Sequence, residues 1–160
     1  GFLFIWAEKE LLAQVVRVAM RWGFKYVENF CWIKKTPDNR IVKQSSAHFA
    51  RSKATLLIFR KVIDSMRAYE GGEIDLRHQR NPDCVFDFIK PRQEACSRWL
   101  GDLTEEKPQF TYVMMETMLP GACYNEQDEA AGTAGTRLLE LWARKEPRLR
   151  RRGWTMVSQE

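Results

Sequence analysis

Residues 47–53 read Ala-His-Phe-Ala-Arg-Ser-Lys, and the apolar run Leu56-Leu57-Ile58-Phe59 follows almost at once. A short apolar run bounded by polar residues is typical of a strand buried on both faces, as in a parallel sheet covered by helices. The polar segment before the run then opens onto an edge of the sheet, where open α/β sheets meet their ligands. We therefore expect Arg51 and Lys53 to lie at a site, although charge alone favours the interpretation that both are solvated loop cations.

The composition indicates one folded domain. A chain of 160 residues and 18.8 kDa, with 44% hydrophobic and 12% aromatic residues, has enough apolar side chains for a core. Its apolar runs are far shorter than the roughly 20 residues that a membrane span needs. The charged residues Glu8, Lys9 and Glu10 follow the opening apolar run too soon for a signal peptide. We expect a soluble, intracellular protein without membrane contact.

The cysteines give no metal-binding pattern. No two of them form a Cys-x-x-Cys pair, and only His48 and His78 could help to hold a zinc ion. We therefore predict no metal site and four reduced thiols, Cys31, Cys84, Cys96 and Cys123.

The first third of the chain predicts a strand, a helix and a second strand. Phe2–Trp6 reads as a strand that starts without a polar approach, so we expect an N-terminal piece of the domain to be missing. Apolar residues recur at helical spacing within 8–22, and Gly23 is well placed to end that helix. Residues 26–33 then read as a strand that Pro37 and its neighbours interrupt. This pattern predicts a βαβ unit with parallel strands and a right-handed crossover.

The remaining segments predict further alternation of strands and helices. Residues 62–81 read as an excursion from the sheet edge and residues 92–106 as a polar connection. A helix should begin near Lys107-Pro108 and end at Pro120-Gly121. The acidic, Gly- and Ala-rich stretch 122–135 is predicted to be a flexible loop. Strands are predicted at 84–88, 138–142 and 154–157, which gives an α/β sandwich with a mostly parallel sheet and helices on both faces.

The order of several short motifs resembles one family over nearly the whole chain. The motifs are Gly1-Phe2-Leu3-Phe4-Ile5-Trp6, Arg21-Trp22-Gly23-Phe24, Cys31-Trp32-Ile33-Lys34, Phe49-x-Arg51-Ser52-Lys53, Lys107-Pro108, Leu119-Pro120-Gly121, Leu141-Trp142-Ala143-Arg144 and Gly153-Trp154-Thr155. This order is similar to that of the METTL-type adenine N6-methyltransferases. The resemblance implies a Rossmann-like fold, a nuclear location and a heterodimer of one catalytic and one non-catalytic subunit. The catalytic subunit uses S-adenosylmethionine to methylate adenine in DNA or RNA.

Departures from the family pattern favour the non-catalytic type of subunit. Active members carry Asp-Pro-Pro-Trp ahead of the segment that matches Gly1, and no two prolines are adjacent here. The family's Lys-Glu-His is Lys53-Ala54-Thr55, and its Phe-Gly-Arg is Trp142-Ala143-Arg144, where a methyl group replaces a glycine hydrogen. Ser158-Gln159-Glu160 replaces the small polar residues near the cofactor ribose. We therefore expect no catalytic residue and no bound cofactor, with Lys53 and Arg144 as remnants of the pocket.

The positive charge of the chain is concentrated near its end. Residues 137–152 contain seven basic residues against Glu140 and Glu146, an excess of five that equals the net charge of +5 of the whole chain. A local positive field is what phosphate contact requires, although a charge run is also typical of a solvated face. The resemblance places an arginine that matches Arg51 in the groove between the two subunits. The predicted nucleic-acid contacts are Arg51, Lys53, Lys145, Arg148, Arg150, Arg151 and Arg152.

These observations predict a pseudo-methyltransferase that supports a catalytic partner and helps to bind nucleic acid. The degraded pocket and the acidic loop most resemble the non-catalytic subunit of the ciliate DNA enzyme, which favours DNA over RNA and allows for accessory DNA-binding subunits. S-adenosylmethionine would bind in the partner. Two alternatives stay open: an active methyltransferase whose tetrapeptide precedes Gly1, and a nucleic-acid adaptor without a methyltransferase partner.

Overall fold

The computed structural model describes residues 1–62, 77, 78, 80–90, 105–133, 135–144 and 146–158. The chain divides into two compact units, the first formed by 1–74 and 80–89 and the second by 75–79 and 90–160. The predicted excursion at 62–81 and the polar connection at 92–106 lie largely outside the described residues. No helix within the described ranges is long and apolar enough to cross a membrane.

The first unit contains a four-stranded sheet and one helix. The strands are β1 (Phe2–Ala7), β2 (Phe24–Lys35), β3 (Lys53–Lys61) and β4 (Cys84–Phe88), and the helix α1 (Leu12–Arg21) connects β1 to β2. Each of these elements was predicted from the sequence. The turn after β2 was also predicted, and Asn39 adopts a positive φ of 65° within it.

The sheet is mixed, which corrects the prediction of a mostly parallel arrangement. Its strand order is β1-β3-β2-β4, and β3 runs antiparallel to both of its neighbours, whereas β2 and β4 are parallel. Strands β1 and β2 therefore run in the same direction, as predicted, but β3 lies between them. The apolar pattern of a doubly buried strand is the same whichever way its neighbours run, so the sequence did not reveal this insertion.

Strand β3 forms the centre of the first unit. Leu56 and Phe59 are fully buried, and Leu57 and Ile58 are nearly so, because neighbouring strands flank β3 on both sides. One face of β3 packs on α1, where Ala19 is completely buried. The helical stripe also includes Leu12, Val15 and Val16, which pack against this core. Burial of this apolar surface stabilises the unit by about 25 cal/mol per Å².

The second unit contains a helix beside a small parallel sheet. Helix α2 spans Gln109–Met118, a short helix α3 spans Glu126–Ala130, and strands β5 (Leu138–Leu141) and β6 (Trp154–Val157) pair in parallel. Single 3₁₀ turns occupy Pro120–Ala122 and Pro147–Leu149.

The acidic stretch 122–135, predicted to be a flexible loop, contains helix α3. The side chain of Asn125 caps this helix by accepting a hydrogen bond of 2.7 Å from the backbone N–H of Asp128. Composition had indicated a solvated loop, whereas the cap and the acidic residues of the first helical turn favour a helix start.

Candidate functional site

A pocket opens at the edge of the first unit where β1 and β2 end and β3 begins. The register pairs Ala7 with Thr55 and Ile33 with Lys53, so the carboxyl ends of β1 and β2 meet the amino end of β3. This is the edge at which open α/β sheets bind ligands. The pocket has a volume of about 340 Å³ and is lined by Glu8, Lys9, Thr55 and the segment 49–53, which we call the pocket loop.

Two carboxylates that follow β1 hold the predicted contact residue Arg51. Its guanidinium nitrogens lie 3.6 Å from Glu8 Oε2 and 3.1 Å from Glu10 Oε1. A hydrogen bond from its own backbone N–H, together with the charges of Arg51 and Lys9, lowers the pKa of Glu10. Glu10 therefore stays ionised at neutral pH and keeps its pairing with Arg51. Arg51 is a paired cation with a side chain that is 38% exposed.

Lys53 differs from Arg51 in having an unpaired charge. It is the first residue of β3, its side chain is exposed, and no acidic partner is present among the described residues. Ala54 and Thr55 follow it and are both 8% exposed. They stand where the family motif Lys-Glu-His has its acid and its imidazole. The two residues that follow Lys53 therefore carry no ionisable group.

In the second unit, carboxylates lie within ion-pair distance of three arginines of residues 147–153, which we call the arginine segment. Arg148 lies 2.8 Å from Glu106 Oε2 and 2.7 Å from Glu146 Oε2, and Arg152 lies 2.9 Å from Glu129 Oε2. Arg148 donates hydrogen bonds to the Glu106 carboxylate, and this interaction raises the pKa of Arg148 above its ordinary value. The positive excess counted along the sequence is therefore largely neutralised by acids that fold onto the segment.

Arg151 is packed into the second unit. Its guanidinium carbon lies 3.3 Å from the centroid of the Tyr112 ring, and its side chain is only 13% exposed. The Tyr112 hydroxyl donates a hydrogen bond of 2.6 Å to Glu140 Oε1. Burial, together with this hydrogen bond, raises the pKa of Tyr112 well above its ordinary value. The guanidinium of Arg151 is stacked on Tyr112 and shielded from solvent. This environment is typical of an arginine that stabilises the fold and not of a surface phosphate ligand.

Arg150 is the exposed exception in the arginine segment. Its side chain has no hydrogen-bond or ion-pair partner within the part of the chain that the structure describes, and its backbone N–H donates to the carbonyl oxygen of Pro147 at 3.2 Å. Lys145, the remaining predicted contact of this region, lies outside the described residues.

The family of the chain follows from a match along its whole length. The model of the MT-A70 family matches residues 1–160, across both compact units. The chain belongs to the MT-A70 family. The match confirms the predicted relationship to the adenine N6-methyltransferases and, with it, a methyltransferase fold. No curated protein matches the chain significantly.

The second pocket remnant that the MT-A70 resemblance singled out, Arg144, is also paired. Its Nε donates a hydrogen bond of 3.1 Å to Glu146 Oε1, and this interaction with Arg144 lowers the pKa of Glu146. The preceding Ala143 is 6% exposed and donates its backbone N–H to Val157 at 2.8 Å. Trp142 adopts a positive φ of 56° and leaves 64% of its surface exposed.

Sequence reasoning missed several residues that line the pocket or pair with Arg51. Glu8 and Glu10 were used only as evidence against a signal peptide, and Phe49 only as part of a family motif. Phe49 is 82% exposed, and Lys9 Nζ donates a hydrogen bond of 3.0 Å to its carbonyl oxygen. The one sequence signal that could have identified Phe49 was its position, as an aromatic residue within a loop of polar and basic residues. Among the described residues, no group of three His, Cys, Asp or Glu side chains is arranged to hold a metal ion.

Proposed function

We propose that this MT-A70 chain is a non-catalytic subunit that supports a catalytic methyltransferase partner and contributes to nucleic-acid binding, with DNA favoured over RNA. The partner binds S-adenosylmethionine and transfers its methyl group to the N6 atom of adenine. The complex acts in the nucleus and accommodates accessory DNA-binding subunits. The family match supports the relationship to adenine N6-methyltransferases, and the chemistry of the pocket supports the non-catalytic role.

The pairing of Arg51 with Glu8 and Glu10 is the observation that carries the proposal. S-adenosylmethionine carries a sulfonium and an ammonium cation against one carboxylate, so its net charge is positive, and its hydroxyl groups need carboxylate or neutral polar partners. In this pocket the nearby carboxylates already bind Arg51, at 3.6 and 3.1 Å, and the remaining charges belong to Lys9 and Lys53. A cationic ligand would be repelled by these charges. The described residues of the pocket therefore do not fit the cofactor.

Exposed apolar residues support an obligate partner. On one face of the β5–β6 sheet, Leu139, Leu141 and Val157 are 58%, 55% and 46% exposed. Parallel strands are usually covered on both faces, and contiguous exposed apolar surface is typical of protein interfaces. Trp142 follows β5 directly and extends this apolar surface. The proposed catalytic subunit is the partner that we expect to cover it.

The proposal is tested by reconstituting the pair. The full-length chain is co-expressed with an MT-A70 subunit that contains Asp-Pro-Pro-Trp, and methyl transfer to adenine is measured on DNA and on RNA. We expect a stable complex that methylates nucleic acid and loses activity when the tetrapeptide of the partner is altered. Methylation by this chain without any partner would favour the active-enzyme alternative.

The proposed role in nucleic-acid binding and the preference for DNA are tested separately. Nucleic-acid binding by this chain without recovery of a methyltransferase partner from its native source would favour the adaptor alternative. Preference for RNA over DNA in the reconstituted assay would overturn the choice of substrate and leave the subunit role intact.

A further inference from the structure

Phe49 is the most exposed large apolar side chain in the described part of the chain. Its exposed fraction is 82%, compared with 64% for Trp142 and 61% for Met20. A phenyl ring in water forgoes about 1.5–3 kcal/mol of burial free energy. An aromatic side chain in this position at the mouth of a pocket is therefore available to contact a ligand.

The backbone that carries Phe49 is anchored on both sides. Gln44 and Arg51 exchange backbone hydrogen bonds of 3.0 and 2.8 Å, which closes residues 45–50 into a loop. Lys9 Nζ binds the carbonyl oxygen of Phe49 itself at 3.0 Å, and Arg51 is held by Glu10. The ring is thus presented by a fixed backbone, which lowers the entropy cost of binding a ligand against it.

Cationic residues line the same pocket as Phe49. These are Lys9, Arg51 and Lys53, and Lys53 has no acidic partner among the described residues. An exposed π surface and an ammonium group in one pocket match a nucleotide, which offers a flat base and a phosphate. A volume of about 340 Å³ lies at the lower end of the range for small-ligand sites, about 300–1,000 Å³, and is far too small for a duplex.

We propose that Phe49 is a stacking platform for one unpaired base, while Lys53 contacts the adjoining phosphate. The proposal rests on the nucleic-acid role proposed above and specifies its substrate class, a single-stranded segment or a base displaced from a duplex. An apolar protein segment fits less well, because Phe49 is flanked by His48 and Ala50 within a largely polar loop and no second large apolar side chain lines the described pocket.

The test measures binding of fluorescein-labelled single-stranded oligonucleotides to the reconstituted complex by fluorescence anisotropy. The variants are Phe49→Ala, Phe49→Trp and, as a control for loss of an exposed aromatic side chain away from the pocket, Trp22→Ala, whose side chain is 57% exposed. We expect Phe49→Ala to weaken binding by at least about 5-fold, since a stacked base contributes about 1–3 kcal/mol. Phe49→Trp should retain the affinity, and Trp22→Ala should leave it unchanged. Because Phe49 is exposed, thermal melting of the variants should match that of the wild type.

A second arm identifies the base as the contact. An oligonucleotide with abasic positions should bind more weakly to the wild type, and Phe49→Ala should then cause no further loss. Equal affinities of wild type and Phe49→Ala for the intact oligonucleotide would overturn the stacking role. Weaker assembly with the partner, without loss of oligonucleotide binding, would identify Phe49 as a protein contact instead.

The two proposals fail in different ways. If the complex assembles and methylates adenine but Phe49→Ala has no effect, the stacking platform is wrong and the subunit role stands. If no complex forms, the subunit role is wrong, and the same oligonucleotide series on the full-length chain still decides whether Phe49 stacks on a base.

Discussion

The pocket loop and the arginine segment contain similar residues but use their charges differently. In the pocket loop Arg51 is paired with two carboxylates, while Lys53 is exposed and has no acidic partner among the described residues. In the arginine segment Arg148, Arg151 and Arg152 all lie within 4 Å of carboxylates, and only Arg150 is exposed without a partner among the described residues. The richer cluster of cations therefore offers less free charge than its sequence indicates.

This difference shows that a count of charges along a sequence does not give the field at a surface. The excess of five positive charges in residues 137–152 omits Glu106 and Glu129, which precede that segment in the chain but pair with Arg148 and Arg152. Phosphate contact requires cations whose charge is not already neutralised by the protein. We expect the arginine segment to act mainly in stability and the pocket loop mainly in binding.

The largest expected loss of stability comes from a side chain added at Gly153, in the arginine segment. Gly153 has a φ of +82°, and a Cβ atom at this position would lie 2.7 Å from Tyr124 Cβ and 2.9 Å from Tyr124 N. We expect Gly153→Ala to destabilise the protein by more than about 2 kcal/mol, because strain and overlap add. Chemical denaturation measures this change. Gly121→Ala is the matched control, since nothing lies within 4 Å of its Cβ position. Equal stabilities of the two variants would contradict the geometry.

The next prediction compares two neighbouring arginines. Arg151→Ala removes the stacking on Tyr112 and a hydrogen bond of 3.0 Å to Gln109, so we expect a loss of about 1–3 kcal/mol. Arg150→Ala should change the stability by less than about 0.5 kcal/mol, since its side chain is exposed. Thermal and urea unfolding of the pair provide the measurement. A neutral Arg151→Ala variant would show that the arginine segment is not structural.

A smaller effect is expected on the pH dependence of the stability, through Glu146. The hydrogen bond from Arg144 lowers the pKa of Glu146 below its ordinary value of 4.5. Its stabilising contribution is therefore complete above the pKa of the unfolded chain and is lost as the pH falls through the lower folded-state pKa. We expect Glu146→Gln to be less stable than wild type at neutral pH, and the gap to close as the pH falls through the lowered pKa of Glu146.

Urea unfolding across this pH range tests the acid prediction. Asp83→Asn is a suitable control, because Asp83 is exposed and its side chain forms no ion pair within the described part of the protein. A constant difference between Glu146→Gln and wild type at every pH would show that the charge of Glu146 does not stabilise the fold.

The smallest effect is a change in salt dependence. Lys53→Gln and Arg150→Gln should each reduce the slope of log affinity against log salt by roughly 0.7–0.9, if each cation contacts one phosphate. Charge reversal at Arg51, Arg148, Arg151 or Arg152 also breaks an internal ion pair, so their effects on binding should be read beside their effects on stability. Unchanged slopes for Lys53→Gln and Arg150→Gln would leave both as surface charges.

The strands and the main helices were predictable because their signals are local. The apolar runs of β1, β3 and β4 and the helical stripe of α1 appear directly in the sequence. The insertion of β3 between β1 and β2 was not predictable, because pairing direction and order depend on contacts between distant segments.

Much of the candidate site could not be predicted from the sequence, for the same reason. The sequence pointed to Arg51 and Lys53, but the pairing of Arg51 with Glu8 and Glu10 joins segments about 40 residues apart. The pairs of the arginine segment are equally distant, as with Arg148 and Glu106. A buried strand has a recognisable apolar pattern, whereas an ion pair between distant residues leaves none.

The central claim is that this subunit binds no S-adenosylmethionine of its own. Isothermal titration of S-adenosylmethionine into the full-length chain, and into its complex with the catalytic subunit, tests the claim directly. We predict no measurable binding to the chain alone and one site per heterodimer. Binding to the chain alone with an affinity in the micromolar range, abolished by Lys53→Ala, would contradict the account and identify the pocket beside β3 as a working cofactor site.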